Sequence, residues 1–245
     1  IGAGGGGADI ETELAQLNAT SSASGNVVLY ETQAGGALEV TGASTVTDNI
    51  DIRTDDGELS ISGAVATTGA GTGGTVTLEA GDAGGSNDDD LAVQSTVDAV
   101  NGTVALTSAT SDVSFAVTGD VTTASGGGDI VVNAGGLVTM SDDNTPDTAQ
   151  LDAGDDLIDI NAVGDVTLGR LVTGSTAPNA VSITSTGGEI IDGGDVLGVD
   201  VEASGGGVTM DADQGIGVTN LARSADAAIE TTVSSLDLAS VSPGD

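Results

Sequence analysis

The sequence predicts an all-β protein, a parallel β-helix or β-solenoid with about three short strands in each coil and about seven coils. Three observations predict it. First, one short unit recurs, as in Asp-Leu-Ile-Asp-Ile (156–160), Gly-Asp-Val-Thr-Leu (164–168), Asn-Ala-Val-Ser-Ile (179–183), Leu-Gly-Val-Asp-Val (197–201) and Gly-Gly-Val-Thr-Met (206–210). Each unit is a turn residue or two, then two aliphatics around one small polar residue, the two-residue period of a strand with one face buried. Second, the units sit close together: Val199, Val208 and Ile216 are only eight or nine residues apart. Third, 38% of the 245 residues are hydrophobic, but there is one Tyr, one Phe and no Trp. A globular core usually takes its bulk from aromatics, whereas a narrow core of stacked Val, Ile, Leu and Ala does not need them.

A strand of four residues buries almost nothing alone, and parallel strands cannot be joined by a tight hairpin. A chain that turns three corners and returns above itself solves both problems. Each strand then pairs with its equivalents one coil above and below, at about 4.8 Å, and the inward aliphatics stack into ladders. An antiparallel sandwich also uses short strands at regular intervals, but its usual spacing is longer. Asn-Gly and Asp-Gly hairpin turns are confined to Asp56-Gly57, Asn101-Gly102 and Asp192-Gly193.

Taken in order, residues 1–24 form a Gly-rich N-terminal segment. Within it, Asp9 to Leu17 places Ile10, Leu14 and Leu17 at helical spacing with Asp9 at the cap. The expectation is a short N-terminal helix covering the first open edge, with an irregular strand as the alternative. Residues 25–245 are the β-solenoid. Its units include Leu38-Glu-Val40, Ile50-Asp-Ile52, Leu59-Ser-Ile61, Val76-Thr-Leu78, Val104-Ala-Leu106, Val113-Ser-Phe115, Ile130-Val-Val132 and Leu236-Asp-Leu238. Longer gaps at 67–74, 81–90, 142–148 and 174–179 are rich in Gly, Thr, Ser and Asp and read as loops inserted at corners. Gly205 to Gly207 reads as a turn. The chain begins at Ile1, which suggests a processed product or part of something longer.

Three basic residues stand against 38 acidic ones, a formal net charge of −35, and there is no His. The cations are Arg53, Arg170 and Arg223. Such a field repels nucleic acid and anionic membrane surfaces. No stretch approaches the ~20 apolar residues of a membrane helix, so membrane insertion is not expected. Without Cys there is no disulfide and no thiol chemistry. Without His, Cys or Lys there is no Ser-His or Cys-His nucleophile, no Schiff base and no phosphate-loop lysine. Carboxylate pairs remain: Asp55/Asp56, Asp142/Asp143 and Asp155/Asp156. Neighbours on a strand point to opposite faces, which makes poor acid–base partners, and Tyr30 is the one aromatic not expected in the core. An enzyme is therefore not expected. The densest acidic run, Asp88-Asp89-Asp90, reads either as a solvated loop tip or, with Asn87, as a Ca²⁺ site.

Units such as Gly164-Asp-Val-Thr-Leu168 and Gly128-Asp-Ile-Val-Val132, separated by Gly/Ser/Thr/Asp corners, give about nine tenths of the chain a resemblance to the shaft of filamentous-haemagglutinin-like adhesins. The resemblance implies a right-handed parallel β-helix serving as spacer and display surface in a large secreted bacterial surface protein. Gly154-Asp155-Asp156-Leu157-Ile158 and Asp192-Gly-Gly-Asp195-Val196 also resemble steps of calcium-binding nonapeptide repeats. That second resemblance implies Asp155, Asp156, Asp192 and Asp195 as further Ca²⁺ candidates.

Two functions are expected from these readings. The first is a non-enzymatic structural segment of an extracellular or cell-surface filament, stalk or matrix, stacking head to tail on copies of itself. The second is an adhesin module that meets a cell-surface glycan or protein through its corner loops.

Overall fold

The computed structural model describes residues 10–32 (10–12 as backbone), 36–69, 74–83, 89–124, 126–141, 148–193, 198–217 and 228–240. Among them every strand pairing of the solenoid is parallel, and the strands join into one continuous sheet wound through about seven turns. Each coil contributes one strand to each of three faces. The first face stacks Val27–Glu31, Ile50–Thr54, Val76–Ala80, Val104–Ser108, Ile130–Ala134, Ile158–Ala162 and Val181–Ser185 in register. The second face stacks Leu59–Ile61, Leu91–Val93, Val113–Phe115, Val138–Met140 and Val166–Leu168. The third stacks Val65–Thr67, Val97–Ala99, Val121–Thr123 and Gln150–Asp152. Some strands serve two faces without a break: Leu38–Thr45 runs from the second to the third, and Val201–Ala212 from the third to the first.

Burial alternates along the strands, as the two-residue period requires. Ile50, Ile52, Val76, Leu78, Val104 and Leu106 are fully buried, and the residues between them face outward. Phe115 takes an inward position and is buried, as its place in Val113-Ser-Phe115 predicts. The corners use a different residue type. The last inward position of a strand is often Thr or Ser, whose hydroxyl closes the turn onto a carbonyl: Thr45 onto Asp48 O, Thr54 onto Gly57 O and Thr123 onto Gly128 O. A buried hydroxyl needs such a partner, and a bend in the chain offers the nearest unpaired carbonyl.

A second polar device ties coil to coil. The residue just before a strand is often Asp or Asn, and its side-chain oxygen accepts the backbone N–H of the equivalent residue one coil on. Asn26 accepts from Asn49, Asn49 from Thr75, Asp90 from Asp112, Asp112 from Leu137, Asp129 from Leu157, Asp165 from Glu189 and Asp200 from Glu230, at 2.6–3.1 Å. This is the structural reason for the recurrent Gly-Asp before an aliphatic pair. The aspartate carries the hydrogen-bond ladder across a corner where the backbone bends away from its partner strand.

Four sequence expectations need correction. Asp9–Leu17 is not a helix: Ile10–Thr12 and Gln16–Thr20 are strands that pair with Val27–Glu31 and with Leu38–Thr45, and Asp9 lies outside the described residues. Extending the ladder gives these backbone groups partners that an isolated two-turn helix would leave to water. Val199, an aliphatic of the 197–201 unit, is not a core position: it is half-buried, and the strand after it begins at Val201. Four third-face strands, Val65–Thr67, Val97–Ala99, Gln150–Asp152 and Arg170–Val172, have no counterpart in the aliphatic-pair motif. Their inward side presents one large aliphatic and then Thr or Ala, as in Val65/Thr67, Val97/Ala99 and Leu171/Thr173. With one large and one small inward residue in each of these strands, the hydrophobic alternation is muted.

Gly205–Gly207 is not a separate turn: it lies within the continuous strand Val201–Ala212, where the register with Thr231–Ser240 shifts between Ala203 and Gly207. Its backbone passes so close to the 175–178 segment that a Cβ on Gly207 would stand 2.0 Å from Pro178 O.

Candidate functional site

The corner between the first and second faces carries the most unusual chemistry among the described residues. Asp56 follows the strand Ile50–Thr54, and Asp82 follows Val76–Ala80 at the same offset one coil on. A bridge pairs Asp56 with Asp82, and Asp89 reaches the same place. The three carboxylates offer oxygens that all lie within 4.8 Å of one another. At that separation, and an effective dielectric constant of ~20, each charged pair repels by about 3 kcal/mol.

Backbone contacts hold the group in position. Gly57 N–H donates to Asp89 Oδ1 at 2.6 Å, and Thr54 Oγ donates to Gly57 O at 2.9 Å. Ser108 Oγ, from the next coil, donates to Asp89 O at 2.8 Å. Gly57 adopts φ +114°, a conformation that favours glycine, and a Cβ there would meet Gly36 O at 2.5 Å. Asp89 is completely buried, Asp56 is 5% exposed and Asp82 is half-buried. Burial raises the Asp89 pKa above the ordinary carboxylate value; the Gly57 N–H offsets part of this, and the charges of Asp56 and Asp82 add to it.

Beside this corner an open groove of about 580 Å³ runs along the outer surface of the first face. Tyr30, Arg53 and Glu79 stand in register on successive coils and line it together with Asp51, Asp55 and Asp82. Arg53 pairs with Asp51 and with Glu79, each at 2.7 Å. The Tyr30 hydroxyl donates to Asp55 Oδ1 at 2.6 Å. That hydrogen bond, then burial and the neighbouring carboxylates, raises the Tyr30 pKa to about 12. Arg170 makes a similar inter-coil contact with Glu202, at 3.1 Å.

The sequence-derived Ca²⁺ candidates are distributed differently. Of Asp88-Asp89-Asp90, only Asp89 enters a cluster. Asp90 is a ladder residue that accepts the Asp112 N–H, and Asp88 lies outside the described residues. Asp155 is exposed, and Asp156 is half-buried in a turn closed by its N–H to Ala153 O. Asp192 ends the strand Glu189–Asp192, paired in register with Leu168, and Asp195 lies outside the described residues. Asp155, Asp156 and Asp192 join no group of three carboxylates among the described residues. No motif of the sequence singles out Asp56 and Asp82 as ligands. The signal that could have found them is their shared position, six residues after Ile50 and after Val76, which means something only once the two coils are aligned.

No family model, no curated protein and no solved structure matches this sequence. Its geometry defines the class of architecture, a parallel β-solenoid of about seven turns.

Proposed function

We propose that this chain is a non-enzymatic structural element, a rod segment of an extracellular or cell-surface filament, stalk or matrix that extends by head-to-tail stacking. The observation that carries the reading is the last described strand, Thr231–Ser240. It pairs only with Val201–Ala212 among the described residues. Leu236 and Leu238 stand over the buried Val208 and Met210, yet are 44% and 52% exposed. Ladder positions that are buried in every inner coil therefore reach the surface here, beside a row of backbone groups with no strand partner among the described residues. Such an edge accepts another strand. Donor and acceptor ends differ, so the contact propagates along the axis. The shaft of a filamentous-haemagglutinin-like adhesin, which the repeat units resemble, is the finer form of this proposal.

Sedimentation and electron microscopy of the full chain at high salt test it. End-to-end assemblies are expected, and Leu236→Lys/Leu238→Lys should reduce them to monomers while the β-type circular dichroism stays unchanged. Deleting residues 1–24 should shorten the assemblies from the other end. A monomeric full chain at high concentration refutes stacking between copies.

A second reading, an adhesin module for a glycan or protein, draws support from the open groove, where a tyrosine, an arginine and several carboxylates line one depression. A glycan-array signal lost in Arg53→Ala would favour it over the first.

A further inference from the structure

We propose that Asp56, Asp82 and Asp89 form a binding site for one calcium ion, clamped between two adjacent coils. It does not depend on the stacking proposed above.

Three observations carry it beyond a mere cluster of acids. The first is an orphaned group. Asp89 is 0% exposed; its Oδ1 is taken by the Gly57 N–H, and its Oδ2 is buried with no hydrogen-bond partner among the described residues. Asp82 Oδ1 is likewise buried and unpartnered. Buried carboxylate oxygens normally have a partner, and two orphans in one place leave room for a cation between them. The second is that no basic side chain among the described residues fills that role. The chain has three basic residues and no His. Arg53 is held by Asp51 and Glu79, and Arg170 by Glu202. The third is size. Oxygens on a sphere around calcium, at about 2.4 Å from the ion, are at most about 4.8 Å apart, and the three carboxylates meet that limit. Magnesium demands shorter bonds and near-octahedral geometry, which suits a bent corner held by backbone contacts less well.

The surroundings fit a built site. Gly57 and Ser108 fix Asp89 from the coils on either side of it. Asp82 is half-buried and lines the open groove, which gives the ion a path inward. An ion held there joins the coil carrying Asp56 to the coil carrying Asp82 and Asp89, and offsets charge repulsion that no basic side chain among the described residues offsets.

The test uses the full chain. Its melting temperature is measured in EGTA and in CaCl₂, with NaCl holding ionic strength constant, and calorimetry counts the ions. Terbium provides a local readout, because Tyr30 is the only Tyr, there is no Trp, and Tyr30 and Asp82 line the same groove. The expected result is about one tight site per chain, a Ca²⁺-specific rise in melting temperature, and Tyr-sensitised terbium emission that Ca²⁺ displaces. Asp89→Asn and Asp82→Asn should each weaken Ca²⁺ affinity at least ~10-fold, as loss of one of three charged ligands implies. Asp89→Asn keeps the oxygen that meets Gly57 and removes a charge. It should therefore melt above the parent in EGTA and below it in CaCl₂, a crossover that a purely structural aspartate does not produce. Asp155→Asn should leave the site intact, and Tyr30→Phe should abolish terbium emission while keeping the calcium-induced stabilisation. A response to CaCl₂ no larger than that to NaCl of equal ionic strength overturns the proposal. So does full calcium affinity in both Asp89→Asn and Asp82→Asn.

Discussion

Replacing Ile160 with Ala tests the ladder at its centre. Ile160 is fully buried and stands in register between Val132 and Ile183. The substitution removes three carbons, about 2.4 kcal/mol of transfer free energy at about 0.8 kcal/mol per group. The neighbours above and below are held by their own ladders and close the gap only in part, so a cavity contribution brings the loss to about 3–4 kcal/mol. At roughly 2–4 °C per kcal/mol for a chain of this size, the melting temperature should fall by about 10 °C. The comparison is Asp159→Ala, one residue earlier and facing outward between Val131 and Ser182. It creates no cavity and should change stability by no more than about 0.5 kcal/mol. Both variants are followed by circular dichroism during heating and by urea denaturation. Each coil is stabilised by its immediate neighbours, so the Ile160→Ala transition should also broaden. Equal losses at the two positions would refute the inward and outward assignment on which the whole architecture rests.

Three other outcomes are expected. With a net charge of −35, the melting temperature should rise as NaCl goes from ~0.1 M to ~1 M and the screening length falls from about 10 to about 3 Å; no change would remove self-repulsion as a determinant of stability. Tyr30 should titrate near its raised pKa of about 12 rather than the ordinary 10.0, read directly as phenolate absorbance because the chain has one Tyr. The folded state favours the neutral phenol, so this contribution is fully present below pH 10 and is lost as the pH rises towards 12; Asp55→Asn should move the midpoint back towards 10. Gly57→Ala should cost roughly 1–3 kcal/mol, measured by urea denaturation, because φ is +114° and the new Cβ would meet Gly36 O at 2.5 Å; an unchanged midpoint would show that this corner can move aside.

Much of this protein is decided locally. The alternation in Ile50-Asp-Ile52 or Val104-Ala-Leu106 requires only a strand and one dry side, so fold class, approximate coil number and most first- and second-face core positions follow from the sequence. The third face is harder to read, because Val65/Thr67 and Leu171/Thr173 place one large side chain and one small one inward. Only the wrapped chain shows that a threonine hydroxyl there closes a corner. The role of the aspartates is likewise decided by stacking. Asp112 and Asp165 resemble loop acids in sequence but accept N–H groups from the next coil. The acidic corner is the extreme case. Asp56, Asp82 and Asp89 span 34 positions of the chain, and they meet because one full coil returns Asp82 over Asp56 while Asp89 is held against Gly57. Periodicity states which side of a strand is buried. It does not state how many loop residues separate one coil from the next, and that count sets which carboxylates share a corner.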